Sequence, residues 1–254
     1  MAHLDINFLS NVLKRNVDIK LILPSKTAWT LEKDNEINST YYQDKMNIKY
    51  PLLILLHGYT GSLHQWLAYT RAEMYAEENN IAIVTVSGEN NYYINTEYDR
   101  YYDFIEYELK DFLYGNFPIS NRREDNFIAG LSMGGFGAMY HALSNPKAYG
   151  MVGAFSPALY PKIKGLLKGK EINELALKNK DDLPKIYFSV GDKDFLLDDA
   201  IKFSKFLDEN NIEYEYSLVE GFGHEWRFWE LEVEKFIKSL DRTDEAYKYS
   251  PHGV

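Results

Sequence analysis

Ser132 is the residue around which the chemistry of this sequence gathers. It is the centre of Gly130-Leu131-Ser132-Met133-Gly134, a match to G-x-S-x-G, in which a serine sits on a sharp turn between a strand and a helix. Glycines at both ends keep bulk out of the tight crossing that such a turn demands. A five-residue match arises readily by chance, and a serine among glycines is more often a plain turn. Here the context favours a nucleophile: residues 127–129 form a short apolar lead-in, Gly135 and Gly137 follow, and 138–143 read as a helix. That geometry would lift the Ser132 hydroxyl above a sheet edge. It would also aim the Met133 amide and a helix N-terminus at a developing oxyanion.

A serine hydroxyl is a weak nucleophile until a base takes its proton. His224 is best placed, on a loop after the alternating residues Tyr214, Tyr216 and Leu218 and before an amphipathic C-terminal helix. A surface or helix-capping histidine is the blander reading. Among the others, His3 and His252 lie near the ends, His141 falls inside the helix after the serine, and His57 and His64 precede it. The base needs a carboxylate on its second ring nitrogen to hold the useful tautomer. Val190-Gly191-Asp192-Lys193-Asp194 supplies two. Asp194 is favoured, because Asp192 leaves the strand sooner and suits closing the turn with Gly191. Asp198 and Asp199 read as N-terminal helix residues. The order serine, aspartate, histidine is that of the α/β-hydrolases.

The oxyanion needs a second donor from the loop after an early strand. His57-Gly58-Tyr59-Thr60-Gly61 follows the apolar run 52–56. Gly58 lets the backbone turn its amides toward the nucleophile, so the second donor is assigned to the Tyr59 amide, with His57 a structural loop residue. Gly58, Trp66 and Trp226 are the candidate substrate contacts. Trp229 suits packing the last helix on the sheet, and Trp226, two residues beyond the base, suits packing or cleft equally.

Stepping outward, the elements that must hold these residues alternate. Strand patterns fall at 17–23, 52–56, 81–86, 127–129, 151–155, 186–190 and 214–218. Helical patterns fall at 62–78 with Ser62 as cap, on the face Tyr98, Tyr101, Ile105, Leu109 and Phe112, at Ala200, Phe203 and Leu207, and from Trp226 to Leu240. Buried strands alternating with helices predict a three-layer α/β/α sandwich around a mostly parallel sheet, as one domain over 1–254. Residues 33–49 read as a loop, and 162–180 as a basic helical segment. The stretch 156–184 is long enough for a small cap at most, and 241–254 read as a polar tail on the surface or frayed.

The formal net charge of −10 disfavours nucleic acid and anionic membranes as partners, and Arg122-Arg123 is followed at once by Glu124 and Asp125. With no cysteine there is no thiol nucleophile and no thiolate metal site. H-E-x-x-H is absent too, so neither metal nor cofactor is expected. No run approaches 18 apolar residues and no secretory signal is evident, which makes the cytoplasm the expected location, although a processed secreted chain would look the same. The 21 tyrosines permit a homo-oligomer without requiring one.

Four stretches carry a family resemblance: LLHGYTGSLHQW at 55–66, REDNFIAGLSMGG at 123–135, VGDKDFLLDD at 190–199 and GHEWRFWE at 223–230. Together they resemble the Putative esterase family that contains esterase D, also known as S-formylglutathione hydrolase. The likeness is closest to its bacterial tributyrin esterase branch, with acetyl and cinnamoyl or feruloyl esterases. The resemblance implies an α/β-hydrolase fold, a triad of Ser132, Asp194 and His224, and an oxyanion hole from the Tyr59 and Met133 amides, with Trp66 opening the helix beside it. It implies a carboxylic ester hydrolase acting on a small ester, with short acyl chains or compact aromatic acids. Where relatives carry a small or aliphatic residue after His-Gly, this chain has Tyr59, whose ring could narrow the acyl pocket or supply a hydrogen bond, so no relative's exact substrate carries over. S-formylglutathione activity is furthest from expectation because the match is closer to the bacterial esterase branch. The same triad would serve a thioesterase or an acyltransferase. A non-catalytic α/β-hydrolase used for binding should lose a triad member or an elbow glycine, and all are present.

Overall fold

Apolar runs without polar alternation become interior strands of a sheet, since only a strand covered on both faces tolerates them. The computed structural model describes residues 1–25, 48–163, 167 and 171–250. Among these, β1 (Ala2–Ser10), β2 (Arg15–Leu23), β3 (Leu52–Leu56), β4 (Ala82–Val86), β5 (Asn126–Leu131), β6 (Met151–Phe155), β7 (Lys185–Gly191) and β8 (Glu215–Val219) form one sheet. Its order is β1-β2-β4-β3-β5-β6-β7-β8. The β1–β2 and β2–β4 pairs are antiparallel and every other pair is parallel. Every residue of β3, β4, β5 and β6 is buried.

Two helical layers cover the sheet. One apolar core collects α3 (a helix opening at Tyr101–Asp103, passing through a π-turn over Phe104–Leu109 and continuing as Lys110–Asn116), α4 (Met133–Ser144), α5 (Ile172–Lys178) and α6 (Leu197–Glu209). The opposite core collects α1 (Gln65–Tyr69), α2 (Ala72–Asn79) and α7 (Trp226–Lys238). Side chains leaving β3 alternate accordingly: Leu52, Ile54 and Leu56 join the first core, Leu53 and Leu55 the second. Each such buried leucine or isoleucine is worth roughly 1.5–3 kcal/mol against exposure. The fold is the α/β-hydrolase three-layer sandwich with a small cap, and in that cap Leu167, Ile172, Leu175 and Ala176 are buried in the first core.

Several elements differ from the sequence reading. β1 was not anticipated: its alternation is shallow and it pairs only with β2, at the sheet's edge. The helix expected over 62–78 is two. The Thr70 hydroxyl donates to the Trp66 carbonyl (2.5 Å) and accepts from the Ala72 amide (3.2 Å), ending one helix and starting the next. Ser62 caps neither. Tyr98 lies outside α3 and is exposed. The π-turn shifts the helical phase there, carrying the side chain of Glu106 into the interior. In 162–180 the described helix is α5 alone, and 33–47 lie outside the described residues. The tail does not fray through residue 250. Arg242 donates to the Asn79 carbonyl (2.6 Å) and pairs with Asp244, while Ala246 is buried and accepts from Asn80. Residues 251–254 lie outside the described residues.

Candidate active site

The turn after β5 places Ser132 at φ 54°, ψ −116°, a backbone region that costs about 1–3 kcal/mol for a residue other than glycine. Close packing holds it there. A side chain on Gly130 would come within 2.3 Å of the Gly134 carbonyl oxygen, and one on Gly134 within 2.3 Å of the Leu56 carbonyl oxygen. The Ser132 amide donates to the Phe155 carbonyl (2.9 Å), and its own carbonyl accepts from Phe136 (3.0 Å) and Ala158 (3.1 Å). The strained turn is thereby pinned to α4 and to the chain leaving β6.

Two strands along, the turn after β7 separates the competing carboxylates. Asp192 accepts from the Gly221 amide (2.7 Å) and gives its own amide to Val219 (3.0 Å), tying the turn to the β8 exit. Asp194 faces His224: Nδ1 lies 2.9 Å from Oδ2 and 3.1 Å from Oδ1. The Leu196 amide also donates to Oδ1 (2.9 Å). Burial works against the Asp194 carboxylate, but bonds from His224, Ser156 and Leu196 outweigh it and hold its pKa below the ordinary value. With Nδ1–H donated to Asp194, Nε2 is left as the basic ring nitrogen.

The imidazole is fixed by its neighbours as well. Trp229 stands edge-on to it at 5.0 Å between centroids, and Phe195 lies against it at 4.5 Å. The Trp229 indole donates to the Ser156 hydroxyl (3.2 Å). Ser156 directly follows Phe155, the acceptor of the Ser132 amide. One short path at the C-terminal ends of β5, β6 and β7 thus links the serine turn, Ser156, Trp229 and the Asp194–His224 pair. Sequence reasoning missed Ser156 and Phe195 and favoured packing over a place at the site for Trp229. A polar residue just beyond a buried strand, at the edge where ligands gather in such sheets, was the available signal for Ser156.

On the other flank the loop after β3 approaches the serine. A side chain at Gly58 would meet Leu131 Cδ1 at 2.6 Å and Ser132 Cβ at 3.4 Å. The Gly61 amide donates to the Gly58 carbonyl (3.0 Å) and the Thr60 amide to Asn90 (2.8 Å). The Tyr59 amide has no hydrogen-bond partner among the described residues. Met133 opens α4, where first-turn amides lack intrahelical acceptors. His57 is buried, with Nδ1–H on the Gly58 carbonyl (2.7 Å) and Nε2 accepting from Gly88 (2.9 Å). Burial pushes its pKa down, against the bond to Gly58. Both ring nitrogens are engaged by backbone, so His57 is a loop-holding residue.

The expected substrate contacts separate. Trp66 is buried, its indole on the Leu56 carbonyl (3.0 Å), and it supports Trp226 edge-on from below (5.7 Å). Trp226 is half-buried between Tyr69 (5.0 Å) and Trp229 (5.1 Å). Tyr59 on the oxyanion-side loop, Tyr69 against Trp226 and Phe195 against His224 are exposed aromatics. Among the described residues no group of three or more histidine, aspartate or glutamate side chains could hold a metal ion. No helix there is long and apolar enough to cross a membrane.

A strained serine between a buried strand and a helix, on a mostly parallel sheet layered by helices on both faces, defines an α/β-hydrolase of the serine-hydrolase type. Residues 10–243 match the family described as "Putative esterase". An acetyl esterase of Caldicellulosiruptor saccharolyticus is 34% identical, with 96% of this chain and all of that protein covered. A fluorophosphonate-binding serine hydrolase of Staphylococcus aureus, solved with substrate bound, superposes with a TM-score of 0.81 at 25% identity, covering 94% of this chain and 98% of that one. The apoenzyme of an S-formylglutathione hydrolase from Staphylococcus aureus gives 0.79 at 24% identity over 94% and 98% of the chains, a likeness of fold. The chain belongs to the Putative esterase family.

Proposed function

We propose that the protein hydrolyses short-chain acyl or small aromatic carboxylic esters through an acyl-serine, with Ser132 as nucleophile, His224 as base and Asp194 orienting the histidine. The observation that carries this reading is the 2.9 Å bond from His224 Nδ1 to a buried Asp194, connected through Ser156 and Phe155 to a serine held in a strained turn. His224 Nε2 takes the Ser132 proton as Oγ attacks the ester carbonyl, and the carbonyl oxygen gains charge against the Tyr59 and Met133 amides. The imidazolium, steadied by Asp194, then protonates the departing alcohol. Water, deprotonated by the same nitrogen, attacks the acyl-serine and releases the acid.

Substrate size follows from the rim. Tyr59 and Tyr92 stand 6.5 Å apart beside the Tyr59 amide, and Tyr69 and Trp226 form a second aromatic wall near the base. Gly58 brings the loop close enough to bound the acyl group, and Trp66 backs Trp226. Flat or short groups suit these walls better than long chains.

Turnover of p-nitrophenyl acetate and fluorophosphonate labelling test the reading together. Ser132→Ala should abolish both, and equal rates for the two proteins would overturn it. A panel from acetate to octanoate, with methyl ferulate, acetylated xylose and a thioester, ranks the substrates; preference for the thioester would move the assignment to thioesterase. We also read the chain as one domain, because all eight described strands share one sheet, and a single cooperative unfolding transition tests this. Sedimentation and cell fractionation test the self-association that exposed aromatics permit and the cytoplasmic location.

A further inference from the structure

We propose that Tyr93 is a positioning residue for the reaction, aiming the Tyr59 amide through the peptides of His57 and Gly58. The inference rests on the oxyanion role given above to that amide.

In a trans peptide the N–H points opposite to the carbonyl of the preceding residue. Whatever holds the Gly58 carbonyl therefore sets the direction of the Tyr59 N–H. That carbonyl accepts from His57 Nδ1–H (2.7 Å) and from the Gly61 amide (3.0 Å). The Gly88 amide on Nε2 (2.9 Å) fixes the donating tautomer of His57. Just upstream, the His57 carbonyl is held by the Tyr93 hydroxyl, which donates to it (2.9 Å).

Tyr93 is built into its place at some cost. It is fully buried and left-handed, with φ 59°, directly after Tyr92 at φ 52°. Its ring occupies space that a side chain at Gly88 or Gly137 would fill, with approaches of 2.1 and 2.5 Å. Its carbonyl accepts from His141 Nε2 (2.8 Å), whose Nδ1 lies 2.6 Å from the buried carboxylate of Glu106. The same residue is thus gripped by its carbonyl from the interior and grips the oxyanion loop with its hydroxyl. A tyrosine serving only as core filler has no need of a left-handed backbone to reach one carbonyl beside the site.

The test is Tyr93→Phe in the full chain, which keeps the ring and removes the hydroxyl. A fully lost oxyanion donor lowers kcat by about 10²–10³-fold, so a misaimed one should lower kcat on p-nitrophenyl acetate roughly tenfold. KM should stay within about twofold, with the melting temperature little changed. Sulfur accepts hydrogen bonds poorly, so the matching thionoester should lose less, and the preference for ester over thionoester in kcat/KM should fall about fivefold. An unchanged kcat overturns the proposal. So does a fall in kcat with the preference unaltered, which would mark Tyr93 as structural only. If the wild-type protein itself shows no ester preference, the Tyr59 amide is not an oxyanion donor and the proposal falls with it. The triad would still stand on the Ser132→Ala result.

Discussion

On the base side of Ser132, a carboxylate whose side chain is fully buried holds a histidine whose side chain is 19% exposed. On the oxyanion side the holding groups are neutral and buried: His57 between two backbone partners, and Tyr93, whose backbone lies in the left-handed region. Charge occurs on that side too, but one layer back, where Glu106 is paired with Lys110 and His141. The difference follows from what each side must do. A base has to accept and return a proton, which calls for a nearby countercharge and room to adjust. An oxyanion donor has only to point, and rigid neutral bonds do that without attracting a proton.

The strongest way to break this contrast is Asp194→Asn. Shape is kept and the charge is lost, so kcat should fall about 10⁴-fold with little change in unfolding temperature; a loss under tenfold would mean the countercharge is dispensable. Next is Glu106→Gln. Burial raises the Glu106 pKa, but Lys110 and His141 overcome it and bring it down to about 2. Removing that charge leaves its buried partners uncompensated, which should cost about 3–5 kcal/mol in urea unfolding. The folded fraction should keep kcat within several-fold. Ser156→Ala removes a bond to Asp194 and the partner of Trp229, and should lower kcat roughly tenfold and stability by about 1 kcal/mol.

Acid should loosen the two sides in sequence. Burial keeps the His57 pKa below the ordinary 6.5, so the unfolded chain binds this proton first as pH falls. The folded state therefore loses stability below about pH 6.5, at no more than about 1.4 kcal/mol per pH unit from this group. Asp194 is depressed from 3.8, so its contribution is complete above that value and is lost only as pH drops below it. Urea titrations of wild type and His57→Asn at pH 7.5 and 5.5 separate the two, because the variant should show the smaller difference. The smallest expected effect is Phe195→Ala, an exposed ring against His224, at under about threefold in kcat/KM. A larger one would mean that the base side depends on packing as well as charge.

Much of the scaffold was legible because it is encoded locally. The apolar runs of β3, β4 and β6 and the amphipathic face of α7 need no knowledge of their neighbours. The edge strand β1 was missed because its alternation is shallow, and elsewhere the structure departs from the local pattern where a side chain overrules it. Thr70 splits a helix by taking over its hydrogen bonds, Glu106 enters the interior on a π-turn, and Arg242 draws the polar tail onto the end of α2. At the site, the stretches around Ser132, Asp194 and His224 stood out because each combines turn glycines with a reactive side chain just after a strand, buried in the first two cases. Ser156 and Tyr93 carried no such mark.

By itself, then, the sequence determined the alternation of strands and helices, the sharp turn at residue 132 and the order in which reactive groups emerge. Those depend on residues within a few positions of one another. Tertiary structure decided that Asp194 rather than Asp192 meets His224, that Ser156 joins them, and that Tyr93 reaches the loop of His57. In two places sheet neighbours are not chain neighbours: β2 lies against β4 and β3 against β5. Contacts between strand ends therefore arise only once the sheet has closed in that order.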